Sequence, residues 1–361
     1  MTINVTKTYL PPLEEYVQYL ERIWASGWIT NNGELVQELE KRLAEYLHVP
    51  YVQFISNGTI AIQLALKALD VEGEVITTPF SYVATVNSIL WEHCTPVFVD
   101  IEPRTFGMDA DKIEAAITER TRAILPVHVY GYPCDVVKIQ QVAGKHNLKV
   151  IYDGAHAFGC ELNGASLLDY GDLSTLSFHA TKLFHTVEGG AVIAHSAEMA
   201  DRLGKLKSFG HIQNDYFLAG VNGKNSEFHA AMGLCLLPKV DDLIEKRRQV
   251  FAWYDRSLAG LGLQIPRPDK HGLKYNYSYY PVLFESETTL LRVMAALKEH
   301  EIIPRRYFYP ALNKLPFVMG QDCPLAEDIS RRVLCLPLFV GLEEEQVENI
   351  CKILSSTMNI L

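Results

Sequence analysis

The chain has 361 residues, of which 48% are hydrophobic and 21% are charged, and its formal net charge is −10. This length and composition suit a globular protein with a large core divided between two domains. The acidic balance disfavours a general nucleic-acid binder, and no segment reaches the roughly 18 apolar residues of a membrane span.

The seven cysteines are scattered and include no C-x-x-C pair. This pattern predicts buried free thiols in a reducing compartment and gives no metal site. The N-terminal residues lack the charged and then apolar segments of a secretory signal. These features together predict a cytoplasmic protein.

Short apolar segments between residues 51 and 195 predict the strands of one sheet. In chain order they are YVQFI, EVITTP, TPVFVD, RAILPVHVY, KVIYD, LSTLSF and GGAVIAH. Helical patterns fill the gaps between the first five strands, in AIQLALKAL, YVATVNSILWEH, ADKIEAAI and DVVKIQQVAGKHN. This alternation predicts an α/β domain built on a mainly parallel, seven-stranded sheet.

The pattern changes after residue 195. A long helical region is predicted over 227–261, followed by a passage rich in proline and tyrosine and by two further helices, TTLLRVMAALKEHEI and EEEQVENICKILSSTM. We therefore predict a large ligand-binding domain over 1–245 and a smaller α+β domain over 246–361.

Ligands of an open parallel sheet bind beyond the carboxyl ends of its strands. Residues 56–59, Ser-Asn-Gly-Thr, follow the first strand and begin a helix. The free N–H groups of a helix start favour an anion such as a phosphate, and Gly58 would let it approach the backbone closely. Ordinary helix capping is the alternative interpretation.

Candidate ligand-binding residues also follow two further strands. Asp153 ends KVIYD, and a buried carboxylate there needs a partner such as a protonated ring nitrogen, with capping of the next turn as the alternative. Phe80 and Tyr82 follow EVITTP. Alternate residues of an extended loop point to opposite sides, so one of these rings is expected to face the cleft.

Lys182 follows LSTLSF, among hydroxyl and imidazole side chains. An amine shielded from water loses proton affinity, and the neutral amine can form a Schiff base with an aldehyde. A solvated structural lysine is the alternative. Together, the phosphate cradle, the aromatic ring, Asp153 and Lys182 form the set that pyridoxal phosphate (PLP) requires.

Several ordered motifs resemble those of the DegT/DnrJ/EryC1/StrS sugar aminotransferases, among them SNGTIAIQLAL, VIYDGAHAFG, SFHATKLFHTVEGGAV, GVNGKNSEFHAAMG and RRYFYPAL. The resemblance covers almost the whole chain and implies the PLP-dependent transferase fold type I. It also implies a homodimer with shared active sites that transfers an amino group from L-glutamate to a nucleotide-linked ketosugar.

SFHATKLFHT is most similar to the motif of family members that make dTDP-4-amino-4,6-dideoxyglucose. This similarity implies amination at carbon 4 for surface polysaccharide (O-antigen, lipopolysaccharide) biosynthesis. A 3-ketosugar aminotransferase, a PLP-dependent sugar dehydratase and a non-catalytic regulator are the alternatives. The presence of Lys182 argues against the dehydratase, because dehydratase members replace this lysine.

The resemblance also implies roles for single residues. Lys182 would anchor the cofactor and move protons, and Asp153 would contact its ring nitrogen. The remaining cofactor contacts would come from Gly58, Thr59 and Ser177 at the phosphate, Tyr82 and His156 at the ring, and Asn222 at the phosphate of the neighbouring subunit.

His179 is a candidate catalytic residue beside Lys182 and Asp153, and the candidate substrate contacts are Lys224, Arg306 and Tyr309. His179 would touch the sugar or Lys182, with simple packing as the alternative. Lys224 replaces the arginine usual in relatives and lacks its two-pronged geometry, and Asn313 replaces a common histidine. For Arg305, solvation is the expected state, and for Arg306 it is the alternative to a substrate contact.

Overall fold

The structure is a computed structural model that describes residues 2–269 and 271–358. Its strands are β1 Ile3–Asn4, β2 Tyr51–Ile55, β3 Glu74–Thr77, β4 Thr95–Phe98, β5 Thr121–Leu125, β6 Lys149–Asp153, β7 Glu161–Leu162, β8 Ala165–Ser166, β9 Leu173–Ser177, β10 Gly190–Ala194, β11 His211–Ile212, β12 Asp215–Tyr216, β13 Leu273–Lys274, β14 Tyr280–Leu283, β15 Ile302–Ile303 and β16 Val333–Leu336.

The α-helices are α1 Leu13–Ser26, α2 Glu34–Leu47, α3 Gly58–Ala68, α4 Val83–Trp91, α5 Ala110–Ile113, α6 Val136–His146, α7 Ala197–Leu206, α8 Glu227–Leu236, α9 Val240–Ser257, α10 Glu287–Glu299, α11 Pro324–Arg332 and α12 Glu344–Met358. Within the described ranges, no helix combines the length and apolar character needed to cross a membrane.

The central sheet has seven strands in the order β2-β10-β9-β6-β5-β3-β4. The pairs β9-β6, β6-β5, β5-β3 and β3-β4 are parallel, whereas β10 runs antiparallel to both β2 and β9. The predicted mainly parallel α/β sheet is confirmed. Because β10 is reversed, its first residue, Gly190, lies opposite the last residues of its neighbours, Ile55 and Ser177.

Helices cover the sheet through apolar residues repeated at helical spacing. In α2, Leu35, Leu39, Leu43 and Leu47 recur every fourth residue, and all four are buried. Helix α3 packs on β9 and β10 through a second buried face. The two helices thus contribute to two separate apolar clusters of the large part of the chain.

The C-terminal part has its own core, in which α9, α10 and α12 pack together beside the antiparallel pair β14-β16. The predicted boundary between 245 and 246 falls inside α9, so a single helix joins the two parts. Strand β1 pairs with β15 and therefore contacts the C-terminal part, although it was assigned to the large domain. Residues 1, 270 and 359–361 of the predicted domains lie outside the described residues.

Two contacts fix the C-terminal part against the sheet. Asp100, after β4, accepts hydrogen bonds from the N–H groups of Leu325 and Ala326 at 3.0 and 2.9 Å. Leu312 donates its N–H to the carbonyl of Pro79 at 2.8 Å. These bonds anchor residues 312 and 325–326 of the C-terminal part to the residues that follow β3 and β4.

Candidate active site

A cavity of about 280 Å³ lies at the carboxyl edge of the sheet. Residues that follow strands β2, β3, β6 and β9 form one side of its wall, and residues 305, 307 and 308 come from the C-terminal part. The predicted site residues in this wall are Gly58, Thr59, Tyr82, Asp153, His156, Ser177, His179 and Lys182. The structure therefore brings together the candidates that came from strand ends.

The start of α3 forms the predicted anion cradle. Asn57 caps the helix, because its Oδ1 accepts the N–H of Ile60 at 2.9 Å. The N–H groups of Gly58 and Thr59 have no acceptor among the described residues, and both residues line the cavity. Two N–H donors and the positive end of the helix dipole thus remain available to an anionic ligand.

A contact within the protein also explains the absence of a side chain at Gly58, beside the predicted approach of a phosphate. A Cβ atom at this position would lie 2.9 Å from Cβ of Ser177. Ser177 therefore packs directly against Gly58, which sets the serine next to the start of α3. The glycine is required by this contact within the protein.

Asp153 is buried at the end of β6, with 6% of its surface exposed. Its Oδ2 accepts the hydroxyl of Thr85 at 3.0 Å, and its Oδ1 accepts the N–H of Ala155 at 3.0 Å. Burial raises the pKa of Asp153, while these hydrogen bonds and the nearby Lys182 act in the opposite direction. A cationic N–H donor from a ligand would stabilise the carboxylate further.

The two aromatic residues after β3 divide as expected. Phe80 is fully buried and packs edge-on against Phe106 and Phe308. Tyr82, just before α4, is 57% exposed and lines the cavity. The prediction that one of the two rings faces the cleft is confirmed.

His156 supplies a neutral, flat group to the same cavity. Its Nδ1 accepts the N–H of Tyr130 at 3.2 Å, and its ring lies nearly parallel to that of Phe308, 5.7 Å away. Burial lowers the pKa of His156 well below its ordinary value, and the charge of Lys182 lowers it further. The imidazole is therefore uncharged at neutral pH and can lie against a bound ring.

Lys182 lies in the loop between β9 and β10. Its N–H donates to the carbonyl of His179 at 2.9 Å, and Thr8 donates its hydroxyl to the carbonyl of Ala180 at 2.9 Å. Burial lowers the pKa of Lys182, whereas the carboxylate of Asp153 raises it. The loop thus holds an amine of reduced basicity beside a buried carboxylate.

Asn222 and Lys224 lie outside this cavity. Lys224 donates from Nζ to Oδ1 of Asn222 at 2.9 Å, and its ammonium lies 4.5 Å from the ring centre of Phe209. They lie on a segment after the β11-β12 hairpin, where Ser56 donates its N–H to the carbonyl of Gly223 at 2.8 Å, and neither residue lines the cavity of its own chain.

Arg306 and Tyr309 also lie outside the cavity wall. Arg306 forms an ion pair with Glu287 at 2.7 Å, and its guanidinium lies 3.5 Å from the ring centre of Tyr309. Its neighbour Arg305 is exposed, in agreement with the expected solvation, and it also lines the cavity. Arg305 is thus an arginine of the cavity wall, whereas the substrate role of Arg306 stays a prediction.

Asn313 is buried away from the cavity. Its Nδ2 donates to the carbonyl of Gln321 at 2.9 Å and to Glu327 at 2.8 Å. This residue therefore supports the C-terminal part directly.

Other cavity residues were missed by the sequence reasoning: Thr85, Glu188, Tyr279, Arg305 and Tyr307. The hydroxyl of Thr85, three residues after Tyr82 and thus near it on one helical face, was an available signal. Glu188 stood within the motif that carries Lys182 but was assigned no role.

The fold and this cavity define an aminotransferase of the PLP-dependent fold type I, and the chain belongs to the DegT/DnrJ/EryC1/StrS aminotransferase family. The sequence model of that family matches residues 13–355. PLP is the cofactor of this family, and its solved members include PLP and pyridoxamine phosphate forms.

The chain is 46% identical over 358 residues to the dTDP-4-amino-4,6-dideoxy-D-glucose transaminase of Shigella dysenteriae, covering 96% of this chain and 97% of that one. It is 42% identical to the transaminase of the same name from Escherichia coli, covering 99% of each. A crystal structure of DesI with its TDP-sugar product superposes with a TM-score of 0.94, at 34% identity over 98% of this chain and 92% of that one.

Proposed function

We propose that the enzyme transfers the amino group of L-glutamate to dTDP-4-keto-6-deoxyglucose, which yields dTDP-4-amino-4,6-dideoxyglucose with an equatorial amine. The main support for this proposal is that Lys182 and Asp153 line the same cavity. An amine that can move a proton and a carboxylate that can pair with the cofactor ring are the two groups that amino transfer requires. The names of two near full-length relatives support the choice of sugar. We place this product in surface polysaccharide (O-antigen) biosynthesis.

The residues of the cavity fit PLP. The N–H groups of Gly58 and Thr59, with the hydroxyl of Ser177, would hold the phosphate. The buried carboxylate of Asp153 would pair with the ring nitrogen, and Tyr82 and His156 would contact the ring. When bound, PLP supplies the electron sink that stabilises negative charge at the reacting carbon.

Lys182 would take a proton from one substrate and deliver a proton to the other. Burial lowers the pKa of Lys182, so a larger fraction of its Nζ is neutral at pH 7 than in a solvated lysine. A neutral Nζ can take the proton from the α-carbon of glutamate and later deliver a proton to the sugar carbon. Because one group delivers that proton from one face, it would also fix the stereochemistry of the amine.

We further propose a homodimer with shared sites. Asn222 lies outside its own cavity, and exposed aromatic residues surround its segment, including Phe209, Tyr216 and Phe217. Pairing of two chains through this surface would cover these rings and bring Asn222 and Lys224 to the partner's cavity.

The proposed layout and location follow the predictions from the sequence. The PLP-binding domain would cover residues 1–245 and the smaller domain residues 246–361. All seven cysteines are free and buried, which is compatible with the reducing cytoplasm.

The direct test supplies the 4-keto and the 3-keto dTDP sugars separately, each with glutamate, and locates the new amine by NMR. We expect the 4-keto sugar to react and the amine to appear equatorial at carbon 4. The variant Lys182→Ala measures the background, since it lacks the amine that moves the proton. A clear preference for the 3-keto sugar would overturn the choice of carbon 4.

A further inference from the structure

We propose that His179 and Glu188 together bind one hydroxyl group of the ketosugar and thereby distinguish it from glutamate. The inference rests on the proposed function, in which both substrates use the same cavity in turn. A ketosugar carries ring hydroxyls, whereas glutamate carries none.

The side chains of His179 and Glu188 are close, but they form no hydrogen bond with each other. Both line the cavity, and Nε2 of His179 lies 3.8 Å from Oε1 of Glu188. This separation exceeds the length of a hydrogen bond, which is at most about 3.2 Å. Their side chains are 48% and 57% exposed, so a substrate can reach both.

The hydrogen bonds of His179 fix its tautomer. The N–H of Thr181 donates to Nδ1 at 3.3 Å, and the Thr181 hydroxyl lies 2.7 Å from the same nitrogen. A backbone N–H can only donate, so Nδ1 is an acceptor and the neutral ring carries its proton on Nε2. The edge of His179 nearest Glu188 therefore presents an N–H donor.

A hydroxyl group matches this arrangement because it accepts and donates at once. Its oxygen would accept the N–H of His179, and its hydrogen would be donated to the carboxylate of Glu188. The 3.8 Å gap is shorter than two hydrogen bonds of about 2.8 Å, so one oxygen can reach both groups. A carboxylate of glutamate cannot bridge in this way, because it would meet the charge of Glu188.

The backbone of Glu188 is held in place before any substrate binds. Its carbonyl accepts the hydroxyl of Thr186 at 2.8 Å and Nδ2 of Asn225 at 3.0 Å. A fixed backbone leaves only the side-chain rotamers of Glu188 to be ordered when a substrate binds, which lowers the entropic cost of binding. The pair is thus suited to select a substrate.

The experiment measures the two half-reactions of the holoenzyme separately, by cofactor absorbance, in Glu188→Gln and His179→Asn. We expect KM for the ketosugar to rise about tenfold to a hundredfold, as for lost hydrogen bonds to a charged group, while the glutamate half-reaction is slowed far less. Calorimetry with the dTDP-aminosugar should show the same loss of affinity. The exposed Glu345→Gln is the matched control.

Sugar analogues that lack the 2-hydroxyl or the 3-hydroxyl identify the group that is bound. One analogue should react poorly with the wild type, and Glu188→Gln should weaken that analogue no further, since the partner is already absent. Equal slowing of both half-reactions in Glu188→Gln, or equal sensitivity of every analogue, would overturn the inference. Wild-type protein that fails to react with glutamate would overturn the proposed function and this inference with it.

Discussion

Lys182 and Asp153 act on each other's charge in one enclosed space. Burial lowers the pKa of Lys182 and raises that of Asp153, because both charged forms lose hydration. Each charge partly restores the ionised state of the other. The fraction of neutral Lys182 therefore depends on the carboxylate as well as on burial.

This balance predicts the direction of a pKa change in Asp153→Asn. The carboxylate raises the pKa of Lys182, so its removal should lower that pKa further and extend the neutral amine to lower pH. The pH dependence of Lys182 acylation in the apoenzyme, followed by mass spectrometry, measures it. A pKa of Lys182 that stays constant or rises would contradict the interpretation, and Glu345→Gln provides the baseline.

The sequence was sufficient to predict site residues that come directly after a strand of the sheet. Asp153 and Lys182 follow strands of the sheet, and parallel strands must bring such residues to one edge. Arg305 could not be found in this way, because it reaches the cavity from a distant part of the chain. The substrate roles of Lys224, Arg306 and Tyr309 stay predictions.

At the scale of elements, a residue of α8 caps the N-terminus of α2. The buried carboxylate of Glu227 accepts the N–H groups of Leu35 and Val36 at 2.7 and 3.2 Å. A Cβ atom on Gly33 would lie 2.6 Å from Cδ of Glu227, so the glycine leaves room for this contact. A side chain distant in sequence thus satisfies two N–H groups that have no carbonyl acceptor within α2.

The variant Glu227→Ala should lose about 2 kcal/mol of unfolding free energy, because two buried N–H groups lose their acceptor. Urea denaturation of the apoenzyme followed by circular dichroism measures the loss. Glu227→Gln should lose less, since an amide oxygen still accepts a hydrogen bond. A shift in Glu227→Ala no larger than that of the exposed Glu345→Ala would show that the cap contributes nothing.

The sequence predicted the presence of strands and helices better than the interruption of a helix or the direction of a strand. Each of the seven predicted strands is present, because apolar runs bounded by turn residues mark buried strands. The helical region predicted over 227–261 instead divides into α8 and α9 around a 3-10 turn, Leu237–Lys239, where Pro238 lacks an N–H. The direction of β10 could not be predicted, because the periodicity of a segment shows that it is a strand but does not show whether its neighbours in the sheet run parallel or antiparallel to it.

At the scale of the whole molecule, the proposed dimer assigns residues of one chain to the cavity of the other. Asn222 and Lys182 of a single chain would then serve different active sites. The surface near Asn222 is rich in exposed apolar side chains, including Ile212 at 49% and Tyr216 at 78% exposure. Such a surface suits burial against a second copy.

Mixing two inactive variants tests this assignment. Lys182→Ala lacks the amine, and Asn222→Asp places a negative charge where the partner's phosphate would bind. After refolding together in equal amounts, about a quarter of all sites should be intact, since half of the dimers are mixed and each mixed dimer has one complete site. Activity absent from verified mixed dimers would place both residues in the same subunit's site.

The antiparallel pairing of β9 and β10 has a consequence for how specificity can change. Ser177 and Gly190 lie opposite each other, so the intervening loop leaves and re-enters the sheet at adjacent points. The segment 178–189 therefore starts and ends at adjacent points, and its interior is anchored in the core by the buried side chains of Phe178, Phe184 and Thr186. It carries Lys182 together with both members of the proposed hydroxyl-binding pair, so a loop exchange between relatives that keeps these buried side chains would carry the proposed substrate preference with it.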